Sequence, residues 1–323
     1  KPQIPPVKLK LHRYTMAEQA STPLTANAIL KEGNTAVITG ASSGIGRAAA
    51  VYCSSVGMNV WLVDIDADDL KTAKEMVCAK AKTKEQKIET RTVDVSDLEQ
   101  LEKLSAEVFD NNGKCNFLMN NAGIARGGGA LTDIKVWRRT IDVNTYGPIH
   151  GCLAFVPKMK SSGEPGIIVN TGSKQGITMP PGNLVYNVSK AALKAYTEGL
   201  EHELMKERAD KEKPGKLRAA LLVPGWVNTS FALKNEKQKL KEAGQEEKFD
   251  ADKVFFHEDK PAKGAWMPPQ VVEYMVQRLD KEKFYIICPD NEVSVELDNL
   301  RFTWTMQDIT EDRAPLSRWH PDY

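Results

Sequence analysis

No run of roughly 18 apolar residues occurs in the 323-residue chain, so no segment reads as a membrane span. Charge of one dominant sign is also missing: 44 basic against 43 acidic residues leave a formal net charge of +1. That balance provides no global field to recruit nucleic acid or anionic lipid. Cysteine is scarce and dispersed. Cys53, Cys78, Cys115, Cys152 and Cys288 form no C-x-x-C pair, and their odd number argues against a disulfide framework or a zinc site. Each reads most simply as a small buried hydrophobe in a reducing compartment, either the cytoplasm or an organelle matrix. With 41% hydrophobic and 27% charged residues, the composition is that of an ordinary soluble globular protein, long enough for one large α/β domain or two small ones.

What is present is alternation. "NTAVITG" from Asn34 is a short β-rich run, followed by the small-residue helical stretch "ASSGIGRAAAVYCSSVG". "NVWLVDID", "KIETRTVDVSD" and "CNFLMNNAG" supply three further strands, separated by the helical stretches "ADDLKTAKEMVCAKAK" and "LEQLEKLSAEVFDNNG". A helix is expected from about Asp133 to Lys160, then "GIIVNTGS", a helix from Tyr186 to about Arg208, "LRAALLVPG", a helix near Pro269 to Asp280, and "KFYIICPD". Mostly apolar strands alternating with helices argue for a doubly wound, Rossmann-type α/β fold: one sheet of seven parallel strands with helices on both faces.

The spacing places this domain at 33–290. An N-terminal arm occupies 1–32, rich in proline and in basic charge early on, and expected to be what remains after removal of a targeting peptide or an added segment. A charged excursion at 230–268 breaks the rhythm, with eight lysines against eight acids between Lys234 and Lys263, and reads either as a solvated flap or as a substrate lid. The extension 291–323 carries Trp304, Trp319 and Tyr323, aromatics that suggest a tail docking on its own subunit or a neighbour.

Candidate chemistry gathers at the strand ends. "TGASSGIG" (Thr39 to Gly46) sets glycines at 40, 44 and 46 between the first strand and first helix, suited either to a plain tight turn or to a pyrophosphate held on the helix N-terminus. Asp64 ends the second strand 18 residues past Gly46, where a carboxylate accepts from both hydroxyls of an adenosine ribose and repels a 2′-phosphate. No arginine or lysine stands beside it in sequence, and Ser43 occupies the spot where a basic residue would hold that phosphate. Both favour NAD(H) over NADP(H). Asp94 after the third strand and "NNAG" (Asn120 to Gly123) after the fourth fall on the same sheet edge. Ser173 follows the fifth strand, and Tyr186 and Lys190 lie 13 and 17 residues beyond it. A serine hydroxyl, a phenol and an ammonium suit carbonyl reduction: Ser173 bonds to the oxygen that gains charge, Tyr186 passes the proton, and Lys190 lowers the tyrosine pKa. Moving a phenol from about 10 to near 7 needs on the order of 4 kcal/mol of phenolate stabilisation. Asn144, in "DVNTYG", is a candidate to hold a water between Lys190 and solvent.

"TGASSGIG", Asp94–Val95, "NNAG", Asn144, Ser173, "YNVSK" and "PGWVNT" occur in that order, and the set resembles the short-chain dehydrogenase/reductase family of classical type from Asn34 to Thr229. The resemblance implies a nicotinamide cofactor and an Asn144–Ser173–Tyr186–Lys190 tetrad. It implies cofactor contacts from Gly40, Ser42, Ser43, Gly44, Ile45, Gly46, Asp64, Asp94, Val95, Asn121, Ala122 and Gly123. The tetrad's Tyr186 and Lys190, and the loop with Pro224, Gly225, Val227 and Thr229, complete that set, with Val227 and Thr229 at the nicotinamide amide. It further implies homodimers or homotetramers built through the tyrosine-bearing helix and the helix before it.

Two functions fit the sequence. One is an NAD-dependent oxidoreductase interconverting a secondary alcohol and a ketone. The other is a structural or binding subunit of a larger assembly, which the arm and the aromatic tail motivate. Met179, Trp226 and Phe231 near the expected pocket suit a hydrophobic small-molecule alcohol or ketone, although such side chains also serve as core or cofactor cover. No metal site is read.

Overall fold

Residues 23–242, 244–250 and 260–321 are described in the computed structural model. Residues 1–22 of the arm, residues 243 and 251–259 of the charged excursion, and residues 322–323 lie outside the described residues, Tyr323 among them. Seven strands form one sheet: β1 Thr35–Thr39, β2 Asn59–Asp64, β3 Ile88–Thr92, β4 Phe117–Asn120, β5 Gly166–Thr171, β6 Leu217–Val223 and β7 Tyr285–Ile287. All pairs are parallel and the order is β3-β2-β1-β4-β5-β6-β7. The order reverses between β1 and β4, so the connections leaving these two strands diverge and open a crevice at their carboxyl ends.

The inner strands β1, β4, β5 and β6 are buried on both sides because helices cover both faces, while the edge strands β3 and β7 are partly exposed. On one face α2 (Gly44–Ser55), α3 (Ala67–Cys78) and α10 (Pro268–Asp280) pack Ala50, Leu70, Met275 and Leu279 against Ile38, Leu62 and Leu222. On the other, α4 (Leu98–Asn112), α6 (Gly147–Ser162) and α8 (Leu184–Arg208) bring Leu101, Phe155, Met159 and Leu204 against Val37, Trp61 and Leu118. Local signals set the helix ends. Asp66 and Asp97 accept from the Asp69 and Gln100 N–H groups to cap α3 and α4, and Gly113 and Gly163 stop α4 and α6 at positive φ of 71° and 67°.

Three expectations change, and the tail takes one of its two alternatives. The helix expected over Asp133–Lys160 is α5 (Ile134–Ile141) and α6 joined through a π turn at Asp142–Tyr146. The 1–32 arm boundary cuts through packed structure: Leu24 and the short α1 (Ala26–Ile29) are buried on α10, and the buried Arg218 guanidinium donates to Leu24 O and Leu279 O. Four cysteines are buried, but Cys78 at the end of α3 is exposed. The C-terminal extension forms α11 (Val295–Thr310), and its Trp319 indole reaches Thr178 O of this same chain at 3.5 Å.

Candidate active site

The carboxyl ends of β1, β2, β4, β5 and β6 surround a cleft of about 1250 Å³. At its first end the β1–α2 loop is drawn tight. Gly40 and Gly44 adopt positive φ of 66° and 54°, and a Cβ on Gly46 would lie 2.2 Å from Gly40 O. Only glycine fits there, which is why the run is spaced as it is. Ser43 makes no side-chain cap, and Ser43, Gly44 and Ile45 at the start of α2 line the cleft. Asp64 accepts the Ser42 N–H at 3.1 Å and the Asp66 N–H at 3.2 Å, and lines the cleft together with Asp66 and Asp69.

Asn121 ties the loop to the sheet. Its amide donates to Thr39 O at 3.2 Å and to Gly40 O at 3.3 Å, and it accepts from the Thr171 hydroxyl at 3.2 Å. Ala122 N–H is held by Thr39 Oγ1 at 3.1 Å. Burial works against the charged form of Asp94, yet bonds from Ser96 and the Arg139 guanidinium hold its carboxyl below the usual range. Asp94 and Val95 both face the cleft.

At the other end Ser173, Tyr186 and Lys190 converge. The tyrosine and lysine share a face of α8, which begins at Leu184, two residues earlier than the sequence suggested. Ser173 and Tyr186 interact through their hydroxyls, an interaction that favours the phenolate. Lys190 is 4% exposed, and its ammonium donates to Thr171 O at 2.7 Å and lies 5.9 Å from the Tyr186 ring centroid. Burial pushes the Lys190 ammonium down to about 8. Tyr186 runs against the expectation: burial pushes its phenol up to about 12, outweighing the Ser173 hydrogen bond. The lysine spends a proton on Thr171 and does not bring the phenol near neutrality in this arrangement.

Asn144 sits in the π turn, behind Gly123. Its oxygen accepts the Ile124 N–H at 2.8 Å, and its amide donates to Ile124 O at 2.8 Å and to Ser189 Oγ at 3.1 Å. The side chain clamps the segment after β4 that passes the site. The π turn supplies this reach: one extra residue rotates Asn144 off the helical phase. Pro224, Gly225, Val227 and Thr229 line the cleft after β6, and Thr229 packs against Gly44. Ile45 and Gly123 line it too, whereas Ser42, Gly46 and Asn144 stand behind its wall. Trp226 and Phe231 reach the cleft, the latter edge-on to Tyr186 with centroids 6.4 Å apart; Met179 does not.

Sequence reading missed the grip of α9 (Phe231–Glu242), which crosses the cleft. Lys234 Nζ is 2.7 Å from Asp69 Oδ2 and donates to Ser42 Oγ at 3.0 Å, while Asn235 accepts the Ala125 N–H at 3.0 Å. The helix thereby touches both walls. Asp64 has no basic neighbour in sequence, yet the fold brings a lysine to its side of the cleft across 170 positions. Two adjacent polar residues after an aromatic were the sole local hint.

A short chain dehydrogenase family model matches residues 34–240. An oxidoreductase of Mycobacterium tuberculosis, SadH, is 34% identical over 203 residues, 62% of this chain and 69% of its own. The 1-deoxy-11-beta-hydroxypentalenate dehydrogenase of Streptomyces exfoliatus is 31% identical over 198 residues, 60% of this chain and 67% of its own. A crystal structure of a Burkholderia phymatum short chain dehydrogenase/reductase in complex with NAD superposes with a TM-score of 0.72 at 28% identity, covering 88% of this chain and 96% of that one.

Proposed function

The chain belongs to the short-chain dehydrogenase family of oxidoreductases, which use nicotinamide cofactors, and from that premise we propose that it interconverts a secondary alcohol and a ketone with NAD(H). The observation that carries the reading is the meeting of Ser173, Tyr186 and Lys190 at one end of a cleft whose other end is a glycine cradle at the start of α2. The cradle fits a pyrophosphate, since a side chain at Gly46 would collide with the loop itself. Asp64, Asp66 and Asp69 form an acidic rim where a ribose diol is welcome and a 2′-phosphate is not. The catalytic residues we assign are Ser173, Tyr186 and Lys190, with Asn144 as the positioning member of the tetrad.

When bound, the nicotinamide supplies or accepts the hydride. In reduction, the Ser173 hydroxyl donates to the substrate carbonyl and the Tyr186 phenol delivers the proton to that oxygen. In oxidation, Tyr186 takes the proton from the alcohol. Lys190 holds positive charge near the phenolate below about pH 8. Asn144 fixes Ile124 at the site edge. Trp226, Phe231 and Leu233 give the open side an apolar lining that suits a hydrophobic substrate. Homo-oligomers through α6 and α8 are part of the proposal; Leu153 and Met205 on these helices are 55% and 39% exposed.

Lys234→Met should weaken NADH binding a few-fold and flatten its dependence on salt, because the ammonium at the adenosine side adds an attraction that ions screen. Titrations at low and high ionic strength check this; equal affinities for the variant and the parent at both would remove the role. The reaction itself is tested by following NADH formation with a panel of hydrophobic secondary alcohols, and NADH consumption with the matching ketones. Turnover in both directions supports the reading. NADH binding with no turnover on any member contradicts it.

A further inference from the structure

Lys174 follows the site serine, yet its side chain turns away from the cleft and is 13% exposed. Its ammonium lies 2.6 Å from Asp298 Oδ2 and 3.5 Å from Asp290 Oδ2. Asp298 belongs to the first turn of α11 in the C-terminal extension and is fully buried. Asp290 lies in the loop after β7, and its Oδ2 also accepts the Trp226 N–H at 3.2 Å. Gly225 fits directly against the pair: a Cβ there would stand 2.7 Å from Asp290 Oδ2 and 2.8 Å from Lys174 Nζ. One buried ionic cluster therefore joins the turn after β5, the loop after β6, the loop after β7 and the extension. Arg301 of α11 adds a second cation, 3.8 Å from Asp298 Oδ1. Charges removed from water are costly unless paired, so these segments have little freedom to separate.

The extension takes hold of α7 (Gln175–Thr178) at both ends. Lys174 precedes its first residue, and Thr178, its last, carries the carbonyl that the Trp319 indole meets. The tail is braced for this by its own bonds: Trp304 Nε1 donates to Ser317 Oγ at 2.8 Å, and Ser317 Oγ donates to Asp308 Oδ1 at 2.5 Å. What α7 does matters to the site. Its Gln175 N–H donates to Ser173 Oγ at 3.2 Å, and its Gly176 N–H to Ser173 O at 3.0 Å. Gly176 also rests on the Lys190 backbone, where a Cβ would lie 2.7 Å from the Lys190 carbonyl carbon.

We propose that the C-terminal extension, through Asp298 and Lys174, is a positioning element that fixes the Ser173 hydroxyl and the Gly225–Trp226 loop, so that the site is complete only with the tail docked. The consequence for turnover rests on the proposed function, since it assumes that Ser173 acts on the substrate oxygen. A displacement of about 1 Å in such a group costs on the order of 10²-fold in rate.

The test is hydrogen exchange on the full chain carrying Asp298→Asn, which keeps the side-chain volume and strands Lys174. The expected result is exchange at least about tenfold faster at the 175–178 amides and at Trp226, with β1 to β6 unchanged. Faster exchange confined to α11 and residues 317–319, or no change at all, overturns the proposal. Should Asp298→Asn loosen the whole sheet, Lys174→Met removes the same link from the other side and is judged by the same pattern. This readout needs no substrate. In turnover, Asp298→Asn should lower kcat in the parent but add little to Ser173→Ala, because the two act through one group. Loss by the full product of the two single effects overturns the coupling to Ser173. An unchanged rate for Ser173→Ala alone would instead remove the role given to that serine, leaving the exchange result standing.

Discussion

Tyr186→Phe should reduce turnover by about 10³-fold, within the 10²–10⁴ range of a lost general acid or base, while NADH affinity changes by no more than roughly twofold. The substitution deletes one oxygen. The ring stays edge-on to Phe231, and Ser173 retains the Gln175 N–H as a partner. The cradle at Gly40, Gly44 and Gly46 is at the far end of the cleft and is untouched. Turnover and a nucleotide fluorescence titration on the same preparation separate the two effects. A variant that keeps parental kcat would mean that another group carries the proton.

Lys190→Met should be nearly as damaging to turnover and opposite in sign for stability. Tyr186 is pushed up to about 12, so at pH 7 its phenolate fraction is on the order of 10⁻⁵ without further help. Lys190 is the cation placed to supply that help, and methionine cannot. Its burial has a cost to the fold. The ammonium falls from 10.5 to about 8, so the unfolded chain binds this proton more readily than the folded one. Above pH 10.5 the penalty is absent; it grows as pH falls toward 8, and below about 8 it reaches roughly 3 kcal/mol. Methionine removes it but strands Thr171 O, a loss of about 1–3 kcal/mol. At pH 7 the variant should therefore be as stable as the parent or more so by up to about 2 kcal/mol, and it should lack the parent's gain in stability between pH 8 and 10.5. Denaturant midpoints across that range check the sign. A variant much less stable than the parent at pH 7 would show that the ammonium supports the fold.

The sheet was legible because its strands are apolar runs bounded by turn residues. "NTAVITG" needs no tertiary information to be read as a strand meeting a tight turn, and Gly46 shows why the next helix begins where it does. The candidate site residues were legible from the same alternation: Asp64 ends a strand, Ser173 follows one, and Tyr186 lies in the first turn of the long helix after it, so the order of strands places them on one edge. Other features depend on contacts that no local pattern encodes. The π turn at Asp142–Tyr146 differs from an α-helix by one residue in its hydrogen bonding, and its side chains keep a helical look. Lys234 meets Ser42 across 192 positions, and Lys174 meets Asp298 across 124. Leu24 resembles arm sequence until Arg218 is seen to hold its carbonyl. The upward push on Tyr186 arises from burial, which spacing alone could not show.

The first measurement to make is a fluorescence titration of the purified chain with NADH and, separately, with NADPH. Binding of NADH that is tighter than that of NADPH by about 10²-fold is expected, a margin of nearly 3 kcal/mol for a phosphate facing Asp64, Asp66 and Asp69. Preference for NADPH would mean that Lys234 outweighs the acidic rim. Binding of neither nucleotide would contradict the reading of the cleft as a cofactor site, however complete the group of Ser173, Tyr186 and Lys190.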